Sequence, residues 1–303
     1  MRSAILLPIA LLLVATAPRR ASAQGERRDP IVLRFPGGTR AAAMAGASIA
    51  TRDDEVIWYG PAQLVVARGA SASWQRIGDA DLRGVSAAFQ SGALGIGIGA
   101  QYLAYAAPAG APFATWQVGR TDAGAPASSL ELAAGVARTV KGVRTGIVGR
   151  LVEEDPGEAR AIRGTVDVGA GRTIGPVTAG IAVQHLGRDA DAGAIAVRMP
   201  TQVTLGANGD LLSVGAFDLA GGASVSVQRG GRIVPRTGWE LGWVWIEGHA
   251  LQGRVGMHRP EWDGQSWLAL GLGLTRDNLS LDYAFEPAAD APASHRVGVR
   301  VRP

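Results

Sequence analysis

The sequence predicts an all-β fold: a transmembrane antiparallel β-barrel of about 14 strands with a short helical N-terminal plug. Two observations carry this prediction. Apolar residues alternate at period two along most of the chain after residue 68, and from the third alternating segment onward long and short connections follow each other in strict order. A third observation, an export leader, places the chain outside the cytoplasm.

The leader occupies the first residues of the chain. Met1 and Arg2 form a short positive segment, residues 4–15 are apolar, and Ala21-Ser22-Ala23 matches a signal-peptidase site. The apolar run is shorter than the roughly 20 residues that span a bilayer. We therefore expect a cleaved signal peptide over residues 1–23 and a mature chain that begins at Gln24.

Composition excludes several classes of protein. The chain has no Cys, which rules out disulfide frameworks and Cys nucleophiles. Only 18% of its residues are charged, and the formal net charge is +4. Three of the arginines lie in the leader, so the mature chain is nearly neutral and offers no basic surface for nucleic acid.

The alternating segments have one apolar face and one face of small residues. Trp239, Leu241, Trp243 and Trp245 alternate with mostly small or polar residues. The solvent-exposed face of a soluble sheet is typically rich in Lys, Glu and Thr, yet the chain has a single lysine, Lys141. Small residues suit a crowded interior, so the apolar face is expected to point outward into lipid. Trp262 and Tyr283 are expected to join this outer face.

Most of the alternating segments have the length that a tilted strand needs to cross a bilayer. They are expected near residues 68–77, 81–90, 92–104, 128–138, 142–152, 161–172, 176–186, 199–209, 211–229, 236–247, 249–258, 265–275, 278–286 and 294–302.

The connections support a barrel independently. Tight turns are expected near residues 140–142, 174–176, 208–210, 247–248 and 276–278. Longer connections fall between them, at residues 106–127, 153–160, 187–198, 230–235, 259–264 and 286–293. Long outer loops and short inner turns are typical of outer-membrane barrels, and this order predicts both termini at the short-turn end.

Residues 37–64 do not alternate. Residues 40–50 are small and could form a helix capped by Thr39, and Gly60-Pro61 predicts a turn before the first strand. A barrel of about 14 strands with small inward residues would enclose an empty lumen unless another segment of the chain occupied it. We expect an N-terminal extension and plug over residues 24–67, followed by the barrel over residues 68–303.

The same segment resembles the N-terminal signature of the PorV/PorQ family of outer-membrane barrels, which is related to FadL-type transporters. The matching residues are Arg40, the cluster Ala43-Met44-Ala45-Gly46-Ala47, Asp53-Asp54 and Pro61-Ala62-Gln63-Leu64. His295-Arg296 at the start of the last segment is also similar. Two residues depart from the pattern: Gly60 stands where the family has Asn, and Pro303 stands where a terminal aromatic is expected.

The resemblance implies two functions that the sequence does not separate. One is passage of a hydrophobic small molecule across the outer membrane of a Gram-negative-type cell, and the other is service to protein export as a subunit of type IX secretion. The partners would be outer-membrane lipid together with such a molecule or a secretion-machinery protein. Few bulky apolar residues point inward, which weakens the transport version. If the protein serves export, the 106–127 loop with its exposed aromatics Phe113 and Trp116 is the candidate surface for a partner protein. The alternative is that this loop is a linker with incidental aromatic residues. The alternative from another class is a secreted soluble β-rich binding protein.

No catalytic constellation, cofactor motif or metal-ligand spacing stands out, so we expect a non-enzyme without a cofactor. The histidines His185, His249, His258 and His295 are scattered. Glu153, Glu154, Asp155 and Glu158 could bind a divalent cation or lie on a solvated loop. Inward charges of mixed sign favour an ion-pair network between wall and plug over a substrate path. The candidate plug and lumen contacts are Arg40, Asp53, Asp54, Arg144, Arg150, Glu240, Arg254, Asp282, Arg296 and Arg300, and Glu131 and Asp167 belong to the same inward set.

Overall fold

A computed structural model describes residues 27–107, 125–155, 160–192, 195–261, 265–287 and 292–303. The expected signal peptide, Phe113, Trp116, Glu158 and Trp262 lie outside these residues. Among the described residues, no helix is long and apolar enough to cross a lipid bilayer.

A closed barrel of 14 strands accounts for most of the chain. A small separate sheet joins β1 (Arg27–Arg28), β9 (Ala190–Ala192) and β10 (Ile195–Val197). The barrel strands are β2 (Gly69–Ile77), β3 (Ala80–Ser91), β4 (Leu94–Ala107), β5 (Ala125–Val140), β6 (Val143–Asp155), β7 (Ala161–Ile174), β8 (Val177–Gly187), β11 (Gln202–Val214), β12 (Phe217–Gln228), β13 (Ile233–Ile246), β14 (His249–His258), β15 (Leu268–Arg276), β16 (Leu279–Glu286) and β17 (Ser294–Val301).

Every barrel strand pairs antiparallel with its neighbours in sequence order, and the last strand pairs with the first. In the closing pair, Ser294 lies opposite Ile77 and Val301 opposite Ala70. Closure leaves no strand edge in the wall, which a lipid environment demands because unpaired backbone groups there are costly. The predicted fold class is confirmed.

One predicted turn is wrong. Residues 208–210 do not turn: β11 runs on to Val214, and the turn falls at Gly215, whose φ is 60°. Asn-Gly-Asp is a turn-forming composition. Here Asn208 instead faces the lumen, where its Oδ1 accepts from the Ala50 N–H at 2.9 Å and its Nδ2 donates to the Ala47 carbonyl at 2.7 Å. Contacts with a distant segment override the local turn preference.

The outer face is apolar as the alternation predicts. Trp239, Leu241, Trp243 and Trp245 are all exposed on the outside of β13, while Gly242 between them is buried. Exposed apolar side chains cover the other barrel strands in the same way. Such a surface is stable against lipid hydrocarbon rather than water, so the barrel wall does not favour the alternative of a secreted soluble β-rich binding protein.

The residues before β2 fill the barrel lumen, and we call residues 29–68 the plug. Its elements are η1 (Ile31–Arg34), α1 (Thr39–Ala43), η2 (Asp54–Trp58) and η3 (Pro61–Val65), all short and mostly buried. The sequence predicted a helix-capable run over residues 40–50, but α1 is shorter. It ends where Ala45 and Gly46 take positive φ values of 52° and 77°.

Thr39 does not cap α1 as expected. The Glu55 carboxylate, from η2, accepts the first free N–H groups of the helix, at 3.3 Å from Arg40 N and 2.9 Å from Ala41 N. These donors have no partner inside the helix, so an acceptor from elsewhere replaces a local cap. The plug is therefore held together by a contact between its own elements.

The plug runs from one end of the barrel to the other. Ile31 and Val32 pack against Leu103 and Val152 near the end that carries the long loops, which we call the loop end. The plug then descends and enters β2 at the opposite turn end, where the carboxy terminus also lies. The expectation of both termini at the turn end is thus wrong for the first part of the described chain, since Ile31 and Val32 lie at the loop end. The reason is that the chain threads the lumen before it forms its first barrel strand.

Glycines on the inner wall allow the plug to lie close to it. An added Cβ at Gly146 would collide with the Pro61 backbone, and one at Gly256 with the backbone of Met44 and Ala45. At Gly97 the same atom would lie 2.5 Å from Leu64 Cδ2. The small inward face that the sequence shows is therefore the face on which the plug packs.

Candidate functional site

The first plug contact centres on Arg150 of β6. Its guanidinium pairs with Glu131 and, at 2.6 Å, with Asp167. The same group donates to the backbone carbonyls of Ile57 at 3.0 Å and Trp58 at 3.2 Å. All three charged side chains are buried. One arginine thus joins two wall carboxylates to the backbone of η2.

The second contact is a chain of ion pairs on the other side of the plug. Arg40 of α1 pairs with Asp53 and with Glu240 of β13, both at 3.0 Å. Arg254 pairs with Glu240 and Asp282, both at 2.5 Å. Arg300 pairs with Asp282 and lies 3.6 Å from Asp53. We call these six residues the α1 network; each of its carboxylates touches two arginines.

The remaining candidate residues also contact the plug or the inner wall. The Asp54 carboxylate accepts from the hydroxyls of Ser71 at 2.5 Å and Ser86 at 2.6 Å. Arg144 donates to Gln63 at 2.6 Å. Arg296 donates to the Pro36 carbonyl, to Ser73 at 2.8 Å and to Gln75 at 3.1 Å.

Sequence reasoning missed several plug contacts. Glu55 caps α1, Gln63 binds Arg144, and Asn208 binds two plug backbone groups. Tyr59 accepts the Gly37 N–H at 2.5 Å through its hydroxyl. The sequence signal for these contacts was weak. Each residue is an isolated polar side chain, either within a stretch of small residues or at an inward position of a strand.

The plug leaves space on both of its sides. A chamber of about 300 Å³ lies at the loop end, and a chamber of about 390 Å³ lies at the turn end. Side chains of Arg40, Glu240 and Arg254 border the turn-end chamber. Trp58, Tyr59, Gln101 and Gln184 border the loop-end chamber. A passage through the barrel would join the two chambers across the plug.

A chain of hydrogen bonds, which we call the polar track, follows the wall of the loop-end chamber. Gln184 donates to the Trp58 carbonyl at 3.1 Å and accepts from Gln202 at 3.2 Å and Thr204 at 3.1 Å. Thr204 and Ser226 share a hydrogen bond of 2.8 Å. The track continues from Ser226 through Arg236 to Glu261 near the loops. The wall of this chamber is consequently polar rather than apolar along this track.

In the described ranges, no group of three or more His, Asp or Glu side chains is arranged so that it could hold a metal ion. His185 lies 4.0 Å from Asp167, and His258 lies 3.5 Å from Glu286.

The loop acids were expected either to bind a divalent cation or to lie on a solvated loop. The two neighbours Glu153 and Glu154 have different environments. Glu154 faces the lumen and accepts from Ile31 N, Ser129 and Tyr105. Glu153 pairs with Arg160 at 2.6 Å.

Comparisons with known proteins show the fold. No protein-family model matches the sequence, and no curated protein matches it. Among solved structures, the chain is similar to the CymD monoaromatic hydrocarbon channel, with a TM-score of 0.58, 10% identity and coverage of 88% of this chain and 97% of that one. It is also similar to the Pseudomonas putida toluene transporter TodX, with a TM-score of 0.54, 11% identity and coverage of 92% and 98%. At this identity the likeness extends to the barrel architecture.

Proposed function

We propose that this chain is an outer-membrane barrel that passes small, largely hydrophobic molecules through a lumen controlled by its N-terminal plug. The observation that carries the proposal is a closed 14-stranded barrel whose plug leaves a chamber on each side. The apolar outer wall supports a membrane location. Two proteins of similar fold are a monoaromatic hydrocarbon channel and a toluene transporter, which supports a small apolar or aromatic cargo.

Passage requires the plug to shift, because it separates the two chambers. The α1 network is the part of the contact that borders the turn-end chamber. Charges released there could be hydrated by water in that chamber, which lowers the cost of separating them. On this proposal the candidate residues Arg40, Asp53, Glu240, Arg254, Asp282 and Arg300 hold the closed state.

An asymmetric planar bilayer with a lipopolysaccharide outer leaflet tests the proposal. The full chain should raise the flux of toluene at least severalfold over a protein-free bilayer. The matched control is the same barrel with its plug cross-linked to the wall through cysteines placed at positions 50 and 180, whose Cβ atoms would lie 3.9 Å apart, a separation that a disulfide can bridge. The proposal fails if toluene flux is the same with the free plug, the cross-linked plug and no protein.

A second candidate function is service to protein export, as in the PorV/PorQ family. The supporting observation is that the motif residues Arg40, Met44, Asp53, Asp54 and Leu64 all lie in the plug and contact the inner wall or are buried there. Purification from the native outer membrane in mild detergent tests it. A stoichiometric large protein companion that leaves with the barrel would favour export, and a barrel that purifies alone would count against it.

We propose no catalytic role. Asp282, an inward acid that could act in an enzyme, is paired with Arg254 and Arg300. The cleaved signal peptide over residues 1–23 and a mature start at Gln24 form part of the proposed export route. N-terminal sequencing of the protein from the native membrane tests that start.

A further inference from the structure

A groove of about 720 Å³ lies on the outer wall of the barrel, and we call it the wall groove. It crosses the five strands from β12 to β16. Its flanks include Trp239, Leu241, Leu270 and Leu272, which are all exposed on the outside of the barrel. Every outward side chain that lines it is apolar or aromatic. Such a recess in a membrane-facing surface offers a place for hydrocarbon.

The glycine Gly253 of β14 creates this groove. Its cross-strand partners are Leu241 on β13 and Leu272 on β15. A Cβ added at Gly253 would have no atom within 4 Å. A glycine inside a strand has no side chain to pack and often marks a place where a ligand approaches the backbone. Because leucines flank the glycine on both sides, the missing side chain leaves a space that another molecule can enter.

The wall groove is a recess in a continuous wall. Gly253 pairs with both neighbouring strands. On the inner side of the same strands, Arg254 belongs to the α1 network, and a Cβ added at Gly271 would lie 2.4 Å from Cβ of Ala43 in α1. The plug therefore lies directly behind the floor of the groove. A molecule in the groove contacts the outer wall and does not enter the lumen.

The groove extends from the middle of the wall toward the loop end. Trp239, Val255, Leu270 and Phe285 are successive cross-strand partners along it. Trp239 lies well inside β13, which begins at the loop end, whereas Phe285 lies next to the loop-end residue of β16. Barrel strands are tilted, so a row of cross-strand partners changes its depth in the membrane from strand to strand.

Polar atoms mark the shallow end of the groove. Tyr283 of β16 lines it, and the Tyr283 hydroxyl shares a hydrogen bond of 2.8 Å with Nδ1 of His295, which is exposed on β17. Aromatic residues with a polar tip are typical of the membrane interface. The deep end, at Trp239 and Leu241, is apolar. A molecule with an apolar tail and a polar head matches this gradient.

The length of the groove fits the tail of a lipid. Strands lie about 4.8 Å apart, so five strands span about 19 Å. The hydrocarbon core of a bilayer is about 30 Å thick, of which one leaflet supplies about 15 Å. A chain in the groove touches side chains on both flanks, so it gains more dispersion contacts than a chain on a flat part of the wall.

We propose that the wall groove binds one acyl chain of a membrane lipid, with the lipid head toward Tyr283 and His295. Gly253 provides the floor, and Leu241 and Leu272 provide the flanks. This inference goes beyond the proposed passage of small molecules. It rests on the proposed membrane location and requires neither passage nor movement of the plug.

Native mass spectrometry of the full chain tests the proposal. The chain is purified in an octyl tetraethylene glycol detergent, and dipalmitoyl phosphatidylethanolamine is then added stepwise. We expect saturable retention of one lipid. Gly253→Leu fills the groove and should raise the Kd of this lipid at least fivefold. Dihexanoyl phosphatidylethanolamine has the same head but short chains, and it should bind at least tenfold more weakly and respond less than twofold to the variant.

Gly149 of β6 provides the matched control. It is also an exposed strand glycine on the outer wall, but its cross-strand partners are the smaller Ala134 and Val166. Gly149→Leu should change the Kd of the dipalmitoyl lipid less than twofold. If Gly253→Leu does not fold, the double variant Leu241→Ala with Leu272→Ala removes both flanks and should weaken retention at least threefold.

Three outcomes would overturn the proposal. The first is equal lipid retention by wild type, Gly253→Leu and Gly149→Leu. The second is equally tight binding of the dihexanoyl lipid, which would assign retention to the head alone. The third is a wild-type dimer that Gly253→Leu separates, which would assign the groove to a second copy of the chain.

The result is separate from that of the flux experiment. Groove-dependent lipid retention without toluene flux would leave this site standing and remove the proposed passage. Toluene flux without groove-dependent retention would keep the passage and remove the lipid site.

Discussion

The plug contacts the barrel wall in two different ways on its two sides. On one side, η2 and η3 bury Ile57 and Leu64 against Ala133 and Val148, and a single arginine joins the wall to the plug backbone. On the other side, α1 lies on inner-wall glycines and is held by the α1 network. The first contact is largely apolar, and the second is largely ionic.

The difference suggests which side separates more readily. Apolar packing is lost in full when the two surfaces separate. Among the described residues, Arg150 is the one arginine that pairs with Glu131 and Asp167. In the α1 network each carboxylate touches two arginines, so loss of one contact leaves another. We expect the η2–η3 side to act as the fixed part of the plug and the α1 side as the part that moves.

The largest expected effect comes from the fixed side. Arg150→Leu leaves Glu131 and Asp167 buried without their cation, which should lower the free energy of unfolding by about 3–5 kcal/mol. The temperature at which the folded band disappears on a semi-native gel measures this. Leu151→Ala, a neighbouring residue exposed on the outer wall, is the control and should change little. A loss below about 1 kcal/mol for Arg150→Leu would contradict the assignment of this side as the fixed one.

Crowding the α1 side should have a smaller effect. Gly256→Ala forces a methyl group against the backbone of Met44 and Ala45, at a cost of about 1–3 kcal/mol. We expect the closed state to weaken, seen as larger current fluctuations in a planar bilayer. Gly253→Ala on the same strand has nothing within 4 Å and serves as the control. Identical currents from the two variants would show that α1 is not seated against β14.

The pH dependence of stability should report on Glu55, which links the two sides. Burial, followed by the nearby Asp53 charge, raises the pKa of Glu55 from 4.5 to about 7. The native state therefore holds an extra proton between these values, and stability falls as the pH rises from about 4.5 to about 7. We expect a loss on the order of 2 kcal/mol between pH 5 and pH 8.

Thermal melts of wild type and Glu55→Gln in detergent check this. The amide keeps an oxygen that can accept an N–H group of α1, and it should remove most of the pH dependence. An unchanged pH profile in the variant would assign the effect to another group.

The smallest effect on stability is expected from a test of where the plug runs through the barrel, rather than of how strongly it is bound to the wall. Because residues 29–35 lie at the loop end, a cysteine at Asp29 should be labelled by an impermeant maleimide in intact cells, with stability nearly unchanged. A cysteine at Pro303, at the turn end, should stay protected until the outer membrane is opened. Labelling at position 303 with protection at position 29 would show that the plug or the barrel has the opposite orientation in the membrane.

The sequence by itself determined the barrel. Alternation such as that of Trp239, Leu241 and Trp243 is a local, periodic property, and it predicts which face meets lipid without reference to any other strand. The turn at Lys141–Gly142 has a local signal as well, since glycine readily adopts the positive φ of 78° that Gly142 has there. The mixed inward charges predicted ion pairs between wall and plug, and Arg40 of the plug lies 3.0 Å from Glu240 of the wall.

Only the tertiary structure decided how the plug is seated. Asn208 has turn composition but lies within a strand, because its amide binds plug residues far away in sequence. Glu55 caps α1 in place of Thr39, and the start of the plug lies at the loop end rather than the turn end. These features depend on which segments meet across the lumen. Local patterns carry no information about such long-range contacts, so no periodicity could have predicted them.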